Sequence, residues 1–333
     1  CLGSLVSQTG VPFEIIVVDD HSTDRTAEVA ASFPNVRVIG AGPLPTGWIG
    51  KNNAVSAGAR AAHGSWLLFT DADTIHSPGS LALALTEAEE HHADLLSYSP
   101  EQIAITFWEM AVLPVVFAEL ARQYPPSKVS DPNSPEAAAN GQYMLITRAA
   151  YDAVGGHAAV ATSILEDVAL ARAVKASGRT IRFRYAAGAV RTRMYRNFAQ
   201  LREGWTKNLA LLFPNPGRLA AKTLSLWLFW ATLWIVACVA NTGRVWWNVA
   251  NVTVIFLLAM RLRRSQFRWD RNILGAIFGM PMFAYLLLRS RRAHAQGNVS
   301  WKGRSYGGQS EDGNKNSVTN SMKRTSLTSG RLA

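Results

Sequence analysis

Three acidic pairs stand where carboxylates can do chemistry. Asp71 and Asp73, in FTDADT, follow the short apolar run WLLF; Asp19 and Asp20 follow EIIVV; Glu166 and Asp167 sit in SILEDV. A chain of net charge +11 over 333 residues has little acid to scatter, so the pairs read as parts of one site. A D-x-D at a strand end presents hard oxygen donors, the ligands that Mg or Mn takes. Such a cation neutralises the charge that builds on a diphosphate leaving group. Asp73 is the expected metal ligand, with Asp71 supporting it; the alternative is a capped turn into the next helix. Asp19 and Asp20 suit hydrogen bonds from a ribose hydroxyl or a base N–H, or else plain turn chemistry. A carboxylate at a helix N-terminus stays ionised, which suits Glu166-Asp167 to general-base work; the alternative is helix charge and nothing more. Lys51, in GWIGKNNA, lies in a Gly-flanked loop within reach of phosphate or base, without the glycine spacing of a P-loop. Together the pairs imply a sugar nucleotide as ligand.

The elements that must place these groups alternate. Strands are expected over 13–18, 36–39, 66–69 and 94–99, and later over 143–147 and 180–185. Helices are expected after a Ser22 or Thr23 cap, over 53–62 with Gly64 as its stop, and from Pro78. Alternation of this kind predicts a parallel sheet, with ligands at the carboxyl ends of its strands. The first two acidic pairs lie there. A strand before residue 13 is expected too, which puts the natural N-terminus upstream of Cys1. Residues 103–124 read either as a helix lying on a membrane or flanking an acceptor cleft, or as a buried core helix. Residues 125–142 read as a flexible loop. Helices are expected over 148–154, ending at Gly155-Gly156, and over 165–176. His157 follows in a cleft loop.

Composition divides the chain in three: 1–215 as a catalytic α/β domain, 216–292 as membrane helices, and 293–333 as a basic cytoplasmic tail, disordered from about residue 310. Residues 219–240 are a membrane-span candidate, while 245–260 and 273–288 are short of the roughly 20 residues a span needs. Gly279 and Pro281 are expected to break the last, which would then not cross fully. Much of the positive charge lies around these segments and in the tail, as in basic cytoplasmic loops, and no nucleic-acid recognition motif accompanies it. Cys1 and Cys238 give no disulfide framework and no zinc spacing.

EIIVVDDHSTDRT, GWIGKNNAVSAG, WLLFTDADT, NGQYMLITRAAYDAVGGH and SILEDVALARAV resemble successive motifs of the family-2 glycosyltransferases, which have the GT-A fold. More narrowly, GWIGKNNA and VSWKGRSY resemble the hopanoid-associated and carotenoid-type membrane enzymes. The resemblance implies an inverting, metal-dependent transfer from a nucleotide-sugar donor to a lipid acceptor, with a cytoplasmic active site at the bacterial inner membrane. It places Asp19, Asp20 and Lys51 on the nucleotide, Asp71 and Asp73 on ribose and metal, Asp167 as base with Glu166 beside it, and Gly155, Gly156 and His157 on the acceptor side. Arg202, Trp205 and Lys207, with Trp301, Lys302 and Arg304, are candidates to close over the diphosphate. The family's Pro-Ala-Arg-Asn-Glu-like first strand is absent. So is the Q-x-x-R-W motif of processive synthases, whose place QLREGWTKN takes; single transfer is expected. A hopanoid-like acceptor leads, with a carotenoid, ceramide or polyprenyl phosphate as alternatives. A non-catalytic membrane scaffold is the alternative outside the enzymes.

Overall fold

A computed structural model describes residues 1–186, 188–240, 244–264, 267, 269–301 and 304–305. Its N-terminal half is an α/β assembly. Helix α1 (Leu2–Val6) precedes β1 (Ile15–Asp19), α2 (Thr26–Ala31) and β2 (Val36–Gly40). β1 and β2 pair in parallel. Helix α3 (Gly50–Ala61) leads to β3 (Trp66–Phe69), the D-x-D turn, β4 (Thr74–His76) and α4 (Ser80–Glu90). Then come β5 (Leu95–Ser99), β6 (Glu101–Gln102), α5 (Phe107–Gln123), α6 (Pro126–Val129) and β7 (Met144–Thr147). Short helices α7 (Arg148–Ala153) and α8 (Gly156–Ala159) lead into α9 (Glu166–Ala176), β8 (Ile181–Tyr185) and β9 (Val190–Thr192).

The main sheet is mixed, in the order β3-β7-β5-β8, which corrects the expected all-parallel sheet. β7 runs antiparallel to both β3 and β5, and only β5 and β8 are parallel. Strand direction is not encoded in apolar runs: β7 enters after the long α5–α6 excursion and fills the slot between β3 and β5. β5 is buried along its whole length. Its side chains alternate between two cores: Leu95 packs with Leu67, Ile146 and Phe183, while Leu96 and Tyr98 pack with Leu145 and Tyr143. A second small sheet, β4-β9-β6, carries the far side of the D-x-D turn.

Two helix ends differ from the sequence reading. Neither Ser22 nor Thr23 caps α2; Asp24 Oδ1 accepts the Thr26 N–H at 2.9 Å. Helix α3 ends at Ala61 without a left-handed Gly64; the Arg148 guanidinium donates to Ala62 O (2.8 Å), a carbonyl that the helix end leaves orphaned, and to Gly64 O (2.8 Å) beyond it. Residues 125–142 are an ordered packing segment, not a flexible loop. Val129 and Ala137, Ala138 and Ala139 are buried, and Lys175 Nζ donates to Val129 O and Glu136 O, each at 2.7 Å.

Helix α5 is a core helix. Residues 111–119 are buried and pack against the C-terminal helices, which settles its two readings in favour of the interior. Helix α10 (Phe198–Leu212) precedes α11 (Pro216–Ala240), α12 (Arg244–Arg264) and α13 (Trp269–Ala295). Helix α13 passes unbroken through Gly279 and Pro281, against the expected break. There the glycines serve close packing: a Cβ on Gly275 would sit 3.0 Å from Met110 O, and one on Gly279 would collide with Ala111 O. Among the described residues one helical stretch, Pro216–Val236, is long and apolar enough to cross a membrane, and Trp247–Met260 is a shorter apolar stretch. A hairpin of β10 (Ser300–Trp301) and β11 (Arg304–Ser305) lies on α10. The tail expected to be disordered lies outside the described residues.

Candidate active site

The site assembles around Lys51. It leaves the first turn of α3, and its Nζ lies 2.9 Å from Asp71 Oδ1 and 2.8 Å from Glu166 Oε1. One ammonium thus ties the D-x-D turn to the Glu166-Asp167 pair, groups 95 residues apart in sequence. Glu166 is buried and Asp71 partly so. Burial opposes the charge on Lys51, but Glu166, Asp71 and Asp167 outweigh it and hold the ammonium well above its usual range. Burial likewise opposes the charge on Glu166, and Lys51 overrides it, so that carboxyl sits below its usual range.

Asp167 behaves differently although it is the next residue. Burial and then the Glu166 charge push its carboxyl up to about 6, with Lys51 and two backbone N–H groups pulling the other way. Those N–H groups fix its geometry. Val168 N donates to Oδ1 and Gly141 N to Oδ2, each at 2.8 Å. Two adjacent carboxylates with separated proton affinities are the arrangement in which one stays ionised and the other exchanges protons near neutrality. Gly141 makes the close approach: a Cβ there would lie 3.3 Å from Lys51 Nζ and 3.4 Å from Glu166 Oε1.

Asn52 and Gly141 belong to this architecture and were missed as site residues in the sequence. Asn52 is fully buried; its Nδ2 lies 3.0, 2.9 and 3.0 Å from the carbonyls of Val160, Ala161 and Ser163. The Ile49 N–H adds a bond to Ala161 O at 3.0 Å. The turn that delivers α9 is therefore clasped to the start of α3. The available signal was the Asn pair in GKNNA: a buried amide on an Ala-rich helix must find partners.

The other expected residues divide. Asp19 and Asp20 end β1, partly buried; Asp19 Oδ1 accepts the Ser22 N–H at 3.3 Å, and Asp20 Oδ1 lies 3.5 Å from His21 Nδ1. Asp73 is exposed in the turn, its carbonyl accepting from Thr192 Oγ1 at 3.2 Å. Gly155 is exposed and left-handed, at φ 79°, whereas Gly156 is packed against the Tyr151 ring. His157 is a buried support rather than a cleft residue: it is 1% exposed, with Nδ1 3.0 Å from the Tyr151 hydroxyl. Burial lowers its pKa to about 4, Glu166 opposing and Lys51 assisting.

Trp205 does not close over a ligand. It is 2% exposed in the core with Phe117 and Tyr195, because its register on α10 with Leu201 and Leu209 faces inward. Lys207, on another face of α10, lies where the acidic cluster acts on its charge. Burial pushes its pKa down and Glu166 pulls it up, Lys51 adds to the lowering, and Asp167 and Asp71 oppose it. Its Nζ lies 5.6 Å from the Trp301 ring centroid. Arg202 stacks on Phe198 instead, 6.0 Å from its centroid. Lys302 lies outside the described residues, and Arg304 is described in its backbone alone.

Oxygen donors for a divalent cation are present at Asp71 and Asp73. No group of three His, Cys, Asp or Glu side chains suited to a metal gathers among the described residues. A Mg-type ion held by one or two carboxylates plus substrate phosphates does not need such a cage, so the donor set fits one.

Residues 1–153 match the family described as glycosyl transferase family 2. Over 324 residues the chain is 27% identical to the 4,4'-diaponeurosporenoate glycosyltransferase of Staphylococcus aureus strain MRSA252, covering 92% of this chain and 83% of that protein. The same identity and coverage hold for the protein of strain USA300. Among solved structures, the mannosyltransferase PcManGT from Pyrobaculum calidifontis, in complex with GDP-Man and Mn2+, superposes with a TM-score of 0.51 at 15% identity, over 88% of this chain and 81% of that one. That likeness concerns the fold, an α/β glycosyltransferase fold of the GT-A type.

Proposed function

We propose that this chain, a family 2 glycosyltransferase, moves a sugar from a nucleotide-sugar donor to an apolar lipid acceptor at a membrane surface. The carrying observation is the Lys51 bridge, which unites the D-x-D carboxylate Asp71 with the Glu166-Asp167 pair. Asp167 is the base: its carboxylate, poised near neutrality and aimed by two N–H groups, takes the proton of an acceptor O–H as that oxygen attacks the anomeric carbon. Glu166 stays ionised and holds Lys51. Asp71 and Asp73 would hold a divalent cation, which supplies charge neutralisation on the departing diphosphate. Asp19 and Asp20 at the end of β1 suit the nucleoside, Lys207 under Trp301 suits the phosphates, and Gly155 borders the acceptor side.

A carotenoid-type acceptor is favoured over a hopanoid-like one by the name of the Staphylococcus relatives. Membrane attachment is supported by the exposed Leu228, Phe229, Trp234 and Ile235 of α11 and Val252 and Phe256 of α12, since large apolar side chains exposed in number mark protein or membrane contacts. The catalytic domain would then lie on the cytoplasmic side of a bacterial inner membrane. Sugar transfer by the full chain in membranes, with a panel of nucleotide sugars and carotenoid and hopanoid acceptors, tests the reading. Asp167→Asn is expected to lose about 10²–10⁴-fold, the contribution of a general base, and Asp73→Ala to lose metal-stimulated turnover. Variants that retain wild-type turnover would end the assignment.

A further inference from the structure

Beneath the D-x-D turn, three side chains meet, Thr74 and His76 out of solvent and Thr70 half-buried. Thr70 Oγ1, Thr74 Oγ1 and His76 Nε2 form a triangle: the two hydroxyls are 2.9 Å apart, and each lies 3.1 Å from the imidazole nitrogen. Thr74 is 0% and His76 4% exposed. A hydroxyl carries one proton. That of Thr70 is directed to Gln142 O at 2.9 Å, and that of Thr74 to Asp71 O at 2.8 Å. Both oxygens then face the triangle with lone pairs alone. Buried acceptors left facing each other cost free energy unless a donor lies between them. Within the triangle only His76 Nε2 can supply one.

We propose that His76 is a positioning residue for the reaction: its Nε2–H, shared between Thr70 and Thr74, presets the D-x-D turn and locks it to the segment that aims Asp167. The link is continuous. Thr74 holds the Asp71 carbonyl, Thr70 holds the Gln142 carbonyl, and the preceding residue, Gly141, donates its N–H to Asp167 Oδ2. The ring is itself anchored at its backbone, where His76 N–H donates to Ser4 Oγ at 3.0 Å and β4 pairs with β9. Burial keeps the imidazole neutral, which leaves the Nε2–H tautomer as the form present. The backbone of the D-x-D turn is thus tied to the segment that holds Asp167, and a shift of the turn is felt at both. The consequence for turnover rests on the glycosyl-transfer reading above; the tautomer does not.

Full-length protein in detergent, labelled with 15N-histidine, reads the tautomer directly, with His76→Gln used to assign the resonance. The Nε2–H form is expected, and an Nδ1–H form overturns the proposal whatever the enzyme does. In the transfer assay, His76→Phe is expected to raise the donor KM and lower kcat, together costing about 10²-fold in kcat/KM, as a misplacement of about 1 Å would. His76→Gln, which returns an N–H to the Nε2 position, is expected to recover kcat/KM to within about tenfold of wild type. Should His76→Phe fail to fold, Thr70→Val against Thr70→Ser makes the same comparison, with the loss falling mainly on kcat because the Gln142 link is the one cut. Unchanged kcat/KM in folded His76→Phe or Thr70→Val protein overturns the proposal, as does a folded His76→Gln protein that recovers nothing. Failure of the functional reading looks different: neither wild type nor Asp167→Asn transfers sugar, while the tautomer result stands.

Discussion

Lys51→Met removes the charge at the centre of the site and keeps most of the side-chain volume. In the wild type, Lys51 lowers the proton affinity of both Glu166 and Asp167. Its loss leaves Glu166 and Asp167 with Lys207 but without the cation that pairs with Glu166, so the carboxyl of Asp167 must rise from about 6. Unit charges about 4 Å apart interact by about 4 kcal/mol at an effective dielectric of about 20. The Lys51 side chain is 43% exposed, and screening reduces the interaction to about 1–2 kcal/mol. A shift of about 1.4 kcal/mol is one pKa unit, so the acid limb of kcat/KM should move up by about one unit. The sign follows from the role: the base works deprotonated, so activity falls as pH drops through its pKa, and a higher pKa brings that fall on sooner. Initial rates of sugar transfer between about pH 5 and 9 measure the limb. A limb that stays in place in Lys51→Met, or moves to lower pH, refutes the coupling between Lys51 and the base.

Two further expectations concern the frame. Glu109 is 1% exposed, receives Arg193 Nε at 2.9 Å, and accepts the Ile105 and Thr106 N–H groups that open α5. Burial opposes its charge, but these partners outweigh it and hold the carboxyl below its usual range. Its contribution is therefore complete above the unfolded value of about 4.3 and lost as pH falls through the lower folded value. Glu109→Gln should cost about 1–2 kcal/mol near neutral pH, and thermal melts should show the gap to wild type closing below about pH 4. Gly279→Ala should force α13 off α5, where the added carbon meets Ala111 O. Overpacking of this kind costs about 1–3 kcal/mol, and a melting point equal to wild type would show that the two helices are not in register as described.

Much of the site was legible in advance because its chemistry is local. D-x-D after WLLF, the Asp pair after EIIVV and the Glu166-Asp167 start of α9 each sit at the end or start of an element that apolar pattern and helix charge announce. Lys51 was expected on the nucleotide side and Lys207 over the diphosphate; that Lys51 would bridge two acidic pairs was not legible. Strand direction was not legible: β7 and β5 carry the same kind of buried apolar run whichever way they point. Trp205 and Lys207, two residues apart in one motif, looked equal, yet the helical repeat turns one into the core and leaves the other where the carboxylates act on its charge.

Sequence alone determined which residue types could do the chemistry, because composition and local periodicity are carried along the chain. Tertiary structure decided which of them meet. Only folding brings Lys51 between Asp71 and Glu166, sets Gly141 N–H on Asp167, and buries His76 against Thr70 and Thr74. Burial and the Glu166 charge raise Asp167 while Lys51 holds Glu166 down, so adjacent carboxylates differ in proton affinity. The cause is burial and the placement of neighbouring charges and N–H groups across the fold, quantities that no linear spacing contains.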